Sequence, residues 1–253
     1  TAMLWRSDFQ NARLMLQALQ RRIEDKPPKA AARAAAKIAA ATPEEVFHLH
    51  RQAQSQRARS LGTLVIQVEG DYSIKLRRAP DWKEALTEAW GPATGEAQVV
   101  SLRELLGVVG AHEWRKKGVE IAALGEGPNN RIHPHYGVFS PVRGEYIDLV
   151  ANAPLPANPA NTKFVVFDIG TGTGVLSAVL ALRGEVDQVV ATDMDPRALE
   201  CARENIYRLR LPNPVKVMQA DLFPPEGLAS VIVCNPPWLP ARPGSPLEGA
   251  VYD

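Results

Sequence analysis

From Phe164 the chain runs through an unbroken apolar stretch, Phe164-Val165-Val166-Phe167, then Asp168 and Ile169, into a turn with glycine at alternate positions: Gly170, Gly172 and Gly174. An apolar run without polar alternation is the pattern of a strand buried on both faces. Alternating glycines allow left-handed backbone and a close approach to whatever lies above the turn. Val175 to Leu182 then opens a helix. Strand, tight turn and helix in that order confine this region to a parallel sheet covered by helices.

The unit repeats. Val189-Val190-Ala191-Thr192-Asp193 reads as a second strand ending in a carboxylate. Pro196 then starts a helix whose apolar positions Leu199, Ala202, Ile206 and Leu209 recur at helical spacing, with Asp195 as its cap. A third strand runs from Val215 to Asp221, and a fourth from Ala229 to Cys234 ends at Asn235. The expected fold class is therefore α/β, a Rossmann-like doubly wound sheet, C-terminally incomplete within residues 161–253. Asp168, Asp193, Asp221 and Asn235 then gather on the strand-end edge, where ligands bind in such sheets.

The turn discriminates among ligands. A phosphate-binding loop ends in Gly-Lys-Ser/Thr, whereas Gly174 is followed by Val175 and Leu176. A dinucleotide loop wants G-x-G-x-x-G/A, which Gly170, Gly172 and Val175 miss by one glycine; Gly172, Gly174 and Ser177 fit it loosely. Asp168 would repel a pyrophosphate and favour a cation. Asp193 lies 23 residues after Gly170 (193 − 170), where an acidic residue reaches ribose hydroxyls. On glycines alone, a turn without any ligand is the competing reading.

Asn235-Pro236-Pro237-Trp238 adds a stiff elbow with an amide and an indole. A planar NH2 group is a poor nucleophile because its lone pair is delocalised. An amide oxygen and a carbonyl accepting from that group free and aim the pair. Trp238 offers a flat face for stacking, worth about 1–3 kcal/mol for a base. The bland reading is a strand end that buries an indole.

Together these motifs resemble the class I S-adenosylmethionine-dependent methyltransferases, in the branch that methylates planar nitrogens: small-domain ribosomal RNA enzymes and the glutamine methyltransferases similar to HemK. The resemblance implies S-adenosylmethionine as cofactor. It implies that Gly170, Thr171, Gly172, Thr173 and Gly174 meet the methionine part, with Asp168 also among the cofactor-binding residues. Asp193 would hold the ribose, Met194 would lie beside the adenine, and Asp221 with Leu222 would meet the adenine amine. Asn235, Pro236, Pro237 and Trp238 would carry catalysis; relatives often have Tyr or Phe in the last place. The stretch Arg131 to Pro141, with Gly137-Val138-Phe139-Ser140, is similar to a segment that covers the cofactor pocket, which implicates Phe139. It precedes a helix from Gly144 to Val150. The implied substrate is RNA, most readily a base amine in ribosomal RNA, or a glutamine amide on a translation-related protein. A cofactor-binding module without turnover is the further alternative. His133 and His135 stand two apart without a nearby Cys or carboxylate pair, so no metal is expected.

The rest of the chain reads as 1–124, an α-rich or α+β accessory domain, and 125–160, a linker and pocket-covering segment. Helices are expected over Met3 to Ile23, Lys29 to Ala41 after Pro27-Pro28, from Thr42-Pro43-Glu44-Glu45 onward, Trp82 to Trp90 and Ser101 to Val109. Residues 61–79 alternate around Gly70-Asp71 as a hairpin would. The net charge of +1 over 253 residues hides an asymmetry. Residues 1–61 hold eleven Lys/Arg against five Asp/Glu, +6, while 131–253 hold ten against thirteen, −3. The basic surplus, with Arg115-Lys116-Lys117, is either a solvated face or a surface that docks RNA.

Cys201 and Cys234 read as small core residues in a reducing compartment. No stretch reads as a signal peptide, membrane span or repeat, so a cytoplasmic setting without membrane contact is expected. Residue 1 is Thr, and the chain runs fifteen residues past Trp238 (253 − 238). Fifteen residues cannot supply the further strands of such a sheet, so the sequence is expected to be part of a longer protein.

Overall fold

The computed structural model describes residues 2–25, 27–158 and 161–236. The chain divides into two compact units between Gly110 and Ala111.

In the first unit β1 (Met3–Leu4) precedes α1 (Phe9–Glu24). The helix begins at Phe9, later than the Met3 start that the apolar pattern predicts, because Asp8 caps it. The Asp8 carboxylate accepts from the Gln10 and Asn11 amides at 2.9 and 3.3 Å. It also accepts from Arg78 Nε at 2.6 Å, and this hydrogen bond holds its carboxyl below the ordinary range. Next come α2 (Pro28–Ala39) and α3 (Pro43–Leu61). α3 opens where the sequence predicts, and there Thr42 and Glu45 close a reciprocal capping box.

β2 (Leu64–Val68) buries Leu64, Ile66 and Val68 on one face. The expected hairpin partner at 72–76 does not form a strand. Tyr72 takes φ +64 in a tight turn in which its N–H bonds the Glu69 carbonyl, and β2 pairs elsewhere. After α4 (Lys83–Trp90), β3 (Gln98–Ser101) returns antiparallel to β2, and β1 joins β2 in parallel. The periodicity of 61–79 was right for one strand only; the second partner comes from thirty residues further along. α5 (Leu102–Lys117) crosses the division between the units.

In the second unit β4 (Val119–Glu120) pairs antiparallel with β5 (Arg131–Ile132) around a 3-10 turn at Ala122–Leu124. Then follow α6 (Glu145–Asn152), β6 (Val165–Ile169), α7 (Val175–Ala181), β7 (Gln188–Asp193), α8 (Pro196–Leu209), β8 (Val215–Gln219) and β9 (Val231–Cys234). The last four strands form one parallel sheet in the order β8-β7-β6-β9, the α/β arrangement read from the sequence.

β6 is buried on both faces. Val166, with Phe164 just before it, packs with Leu180, Val186 and Val189; Phe167 and Ile169 pack with Val190 opposite. Each such side chain, once buried, contributes about 1.5–3 kcal/mol. Val119, Ile121 and Ile132 share a core with Ile147, Val175, Leu176 and Val179. Residues 119–124, assigned from sequence to the accessory domain, therefore pack with the α/β unit, and the division lies fourteen residues earlier than 124 (124 − 110). Cys201 is buried as expected. Cys234, at the end of an outer strand of the described sheet, is exposed, contrary to the core reading. No helix among the described residues is long and apolar enough to cross a membrane.

Candidate functional site

Strand register brings the predicted residues together. Ile169 pairs with Thr192 on one side and Cys234 on the other. The next residue along each strand is Gly170, Asp193 and Asn235, so three of the predicted residues leave the sheet side by side.

The glycine turn is wound around Asp168. This carboxylate is 1 % exposed, and its Oδ2 accepts from Thr171 Oγ1 at 2.7 Å, the Ser177 amide at 3.0 Å and Ser177 Oγ at 2.5 Å. Burial nonetheless pushes its carboxyl up from the ordinary value, outweighing the hydrogen bonds. Asp168 thus supports the loop from beneath. Gly170, Gly172 and Gly174 all have positive φ, +69, +55 and +79. At Gly174 a Cβ would stand 3.2 Å from Ala202 Cα, so close packing on α8 also demands glycine. At Gly170 a Cβ would meet nothing within 4 Å. That opening on the exposed side of the turn is a cradle that any side chain there would fill.

Asp193 faces the loop from β7. Its Oδ2 accepts from the Gly172 amide and its Oδ1 from the Asp195 amide, both at 3.0 Å. Each carboxylate oxygen has a further lone pair, so two hydroxyl donors can still be accepted. Asp195 caps α8 through the Arg197 amide, as predicted. Met194 and Leu222 are each 59 % exposed. Leu222 has φ +62, and its carbonyl accepts from Thr192 Oγ1 at 2.6 Å, which fixes that turn to β7. β8 ends at Gln219 instead of the expected Asp221, and Asp221 is exposed on the turn that follows. Phe223 beside it is another exposed ring that the sequence reading passed over.

The Arg131–Pro141 segment is gripped by one face of α8. Arg197 Nη1 donates to the Tyr136 carbonyl at 3.2 Å, and the His135 amide donates to Cys201 Sγ at 3.3 Å. Glu204 Oε2 meets His135 Nε2 at 3.0 Å and Arg115 Nη2 at 3.1 Å. Fully buried Asn205 accepts from the His133 amide at 2.8 Å and donates to the His133 carbonyl at 3.2 Å and to the Thr173 carbonyl at 3.0 Å. One amide therefore ties the covering segment to the glycine turn. Val138 follows, 3.9 Å from where a Gly172 Cβ would stand. His133 Nδ1 lies 2.6 Å from the Arg115 carbonyl, so both His133 and His135 are engaged within the fold.

Phe139 lies half-buried, its ring tilted 6.5 Å from that of Tyr146 on α6. Burial, helped by the Asp168 charge, pushes the Tyr146 hydroxyl up to about 12. Asn235 is half-buried and Pro236 exposed, while Pro237 and Trp238 lie outside the described residues. Asn205, Ser177 and Tyr146 were missed as site residues. Asn205 had a signal: it interrupts the apolar stripe of α8 between Ala202 and Ile206.

Residues 129–243 match the family described as Methyltransferase small domain. Among curated proteins, the release factor glutamine methyltransferase of Moorella thermoacetica is 35% identical over 105 residues, covering 40% of this chain and 37% of that protein. The tRNA1(Val) (adenine(37)-N6)-methyltransferase of Glaesserella parasuis is 34% identical over 84 residues, covering 32% and 35%. The ribosomal protein L11 methyltransferase of Carboxydothermus hydrogenoformans is 45% identical over 59 residues, covering 23% and 19%. The chain thus spans about a third or less of the length of these relatives. The match to the methyltransferase small domain falls on the unit that holds the Rossmann-like α/β sheet.

Proposed function

We propose that the second unit is an S-adenosylmethionine-dependent N-methyltransferase acting on a planar NH2 group, and that the substrate is a base amine in RNA. The observation that carries this reading is the adjacency of Gly170, Asp193 and Asn235 at one sheet edge. The residues fit the cofactor. The open side of Gly170 accommodates a close ligand, Asp193 retains acceptor capacity for ribose hydroxyls, and the exposed side chains of Met194 and Leu222 suit an adenine. Gly170 to Gly174 would hold the methionine part over Asp168, whose charge favours a cation. Asp221 would take the adenine amine, and Phe139 would bound the pocket.

When bound, S-adenosylmethionine supplies an electrophilic methyl group on a sulfonium. The chain's task is to present the acceptor. The Asn235 side-chain oxygen and the Pro236 carbonyl accept the two N–H bonds of the target, which draws its lone pair out of conjugation and aims it. Pro237 stiffens the elbow and Trp238 stacks the target ring. No strong base is required, because the methylated nitrogen is acidic and releases its proton to water.

The RNA reading is favoured by the +6 charge of residues 1–61. The glutamine reading, a side-chain amide on a translation-related protein, is supported by the relative named a release factor glutamine methyltransferase, and a protein substrate more broadly by the one named a ribosomal protein L11 methyltransferase. Both place the protein in the cytoplasm. The test is transfer of a labelled methyl group from S-adenosylmethionine to a cell extract, then separation into RNA and protein. Label in RNA supports the main reading, label in protein the second, and no label in either an idle cofactor-binding module.

A further inference from the structure

The helix α2 is unlike the others of its unit. Seven of its twelve residues are alanine, and Lys29 and Arg33 stand four apart, a spacing that Lys37 continues in the sequence. No carboxylate occurs between Asp25 and Glu44. Every α2 residue whose burial is described is exposed: Lys29, Ala31, Ala32, Arg33, Ala35, Ala36, Ile38 and Ala39. Helix formation here is favoured by alanine propensity.

Several basic residues elsewhere are engaged by carboxylates. Arg57 pairs with Glu24, Arg78 with Asp8, Lys83 with Asp71 and Lys75 with Glu69. In the second unit Arg115, first of the Arg-Lys-Lys cluster, is taken by Glu204. Among the described residues neither Lys29 nor Arg33 has an ion-pair partner. Successive charges on this face rise about 6 Å along the helix, and like charges at that spacing repel. A polyanion relieves the repulsion.

We infer that α2 docks the phosphate backbone of the RNA substrate, an inference that rests on the RNA reading above. The chemistry of the helix excludes the competing occupants. A bilayer-seeking helix needs a bulky apolar face, and α2 has Ile38 as its one large apolar residue. A protein groove takes aromatic or aliphatic anchors at helical spacing, and α2 has none. Small alanines between cations let the helix come close to a charged backbone without sequence readout.

The experiment compares the full chain with its K29A/R33A variant, in which alanine preserves helicity. A fluorescein-labelled RNA hairpin with a single-stranded tail is titrated from roughly 50 to 200 mM salt, the range over which phosphate contacts lose affinity steeply. The variant is expected to bind more weakly at low salt, with the log–log salt slope reduced by roughly 1.4–1.8, about 0.7–0.9 per lost phosphate contact. Its affinity for S-adenosylmethionine stays that of the parent. An unchanged slope overturns α2 docking while leaving the RNA reading intact. If the extract assay instead labels protein alone and the parent chain does not bind the hairpin, the reading beneath the inference has failed as well. Circular dichroism on both chains checks that the helix content is retained.

Discussion

The backbone amide of Gly172 donates to Asp193 Oδ2 at 3.0 Å, so the residue read as a ribose ligand also holds the glycine turn in place. The two motifs that the sequence presents as separate signals are mechanically one. On the proposed function, a substitution at Asp193 acts on the cofactor both directly and through the turn.

Asp193→Ala removes both effects and is expected to weaken S-adenosylmethionine by about 1.5–3 kcal/mol, the range for charge-assisted hydrogen bonds. Asp193→Asn keeps an acceptor for the Gly172 amide and should fall between. Isothermal titration measures both. Unchanged affinity in the alanine variant removes Asp193 from the site.

Asn205 is the second test. Its replacement by alanine leaves the His133 amide and the Thr173 carbonyl without their buried partner, at a cost of about 1–3 kcal/mol. At roughly 2–4 °C per kcal/mol for a chain of this size, the melting temperature should fall by several degrees. Affinity for the cofactor should fall with it, because the Thr173 carbonyl belongs to the turn. Asn205→Asp keeps the shape but loses both donors, and should fare no better. A melting temperature within a degree of the parent would show that the clamp is dispensable.

Asp168 supplies a pH signature. Burial raises its carboxyl above the ordinary 3.8 in the folded chain, so around and above that pH the folded state binds more protons than the unfolded one. Stability from this group then declines as pH rises from the unfolded value through the raised folded value, and levels off beyond it. Asp168→Asn has no proton to lose and retains an acceptor for Thr171 and Ser177. The melting-temperature difference, variant minus parent, should grow from about pH 4 upward and then plateau. A difference independent of pH contradicts the assignment.

How much was legible in the sequence follows from where the information is local. The four strands, α7 and α8 could be read because each carries its own local apolar run or period, and Asp195 and Pro196 mark the start of α8. The pairing of β2 could not, because β1 and β3 come from distant parts of the chain and are too short to carry a period. Residues 119–121 looked like the tail of the first domain because nothing local states that Val119 and Ile121 will pack against α6 and α7. In the site, the exposed edge residues were legible as motif members. Their supports, buried Ser177 and Asn205 and half-buried Tyr146, were not, since a polar residue in a helix declares no partner until the fold brings it one. Arg115 had the opposite fate: its cluster looked free, and Glu204 claims it.

The central claim, that the sheet edge transfers a methyl group to an amine held by Asn235, meets its most direct test in one paired measurement on Asn235→Ala. Methyl transfer to the labelled extract fraction and titration of S-adenosylmethionine are recorded on the same preparation. Transfer is predicted to be lost while cofactor affinity stays within a few fold, because in the proposed function Asn235 presents the acceptor while the glycine turn and Asp193 anchor the cofactor. Parallel loss of both, or transfer that survives intact, would contradict it.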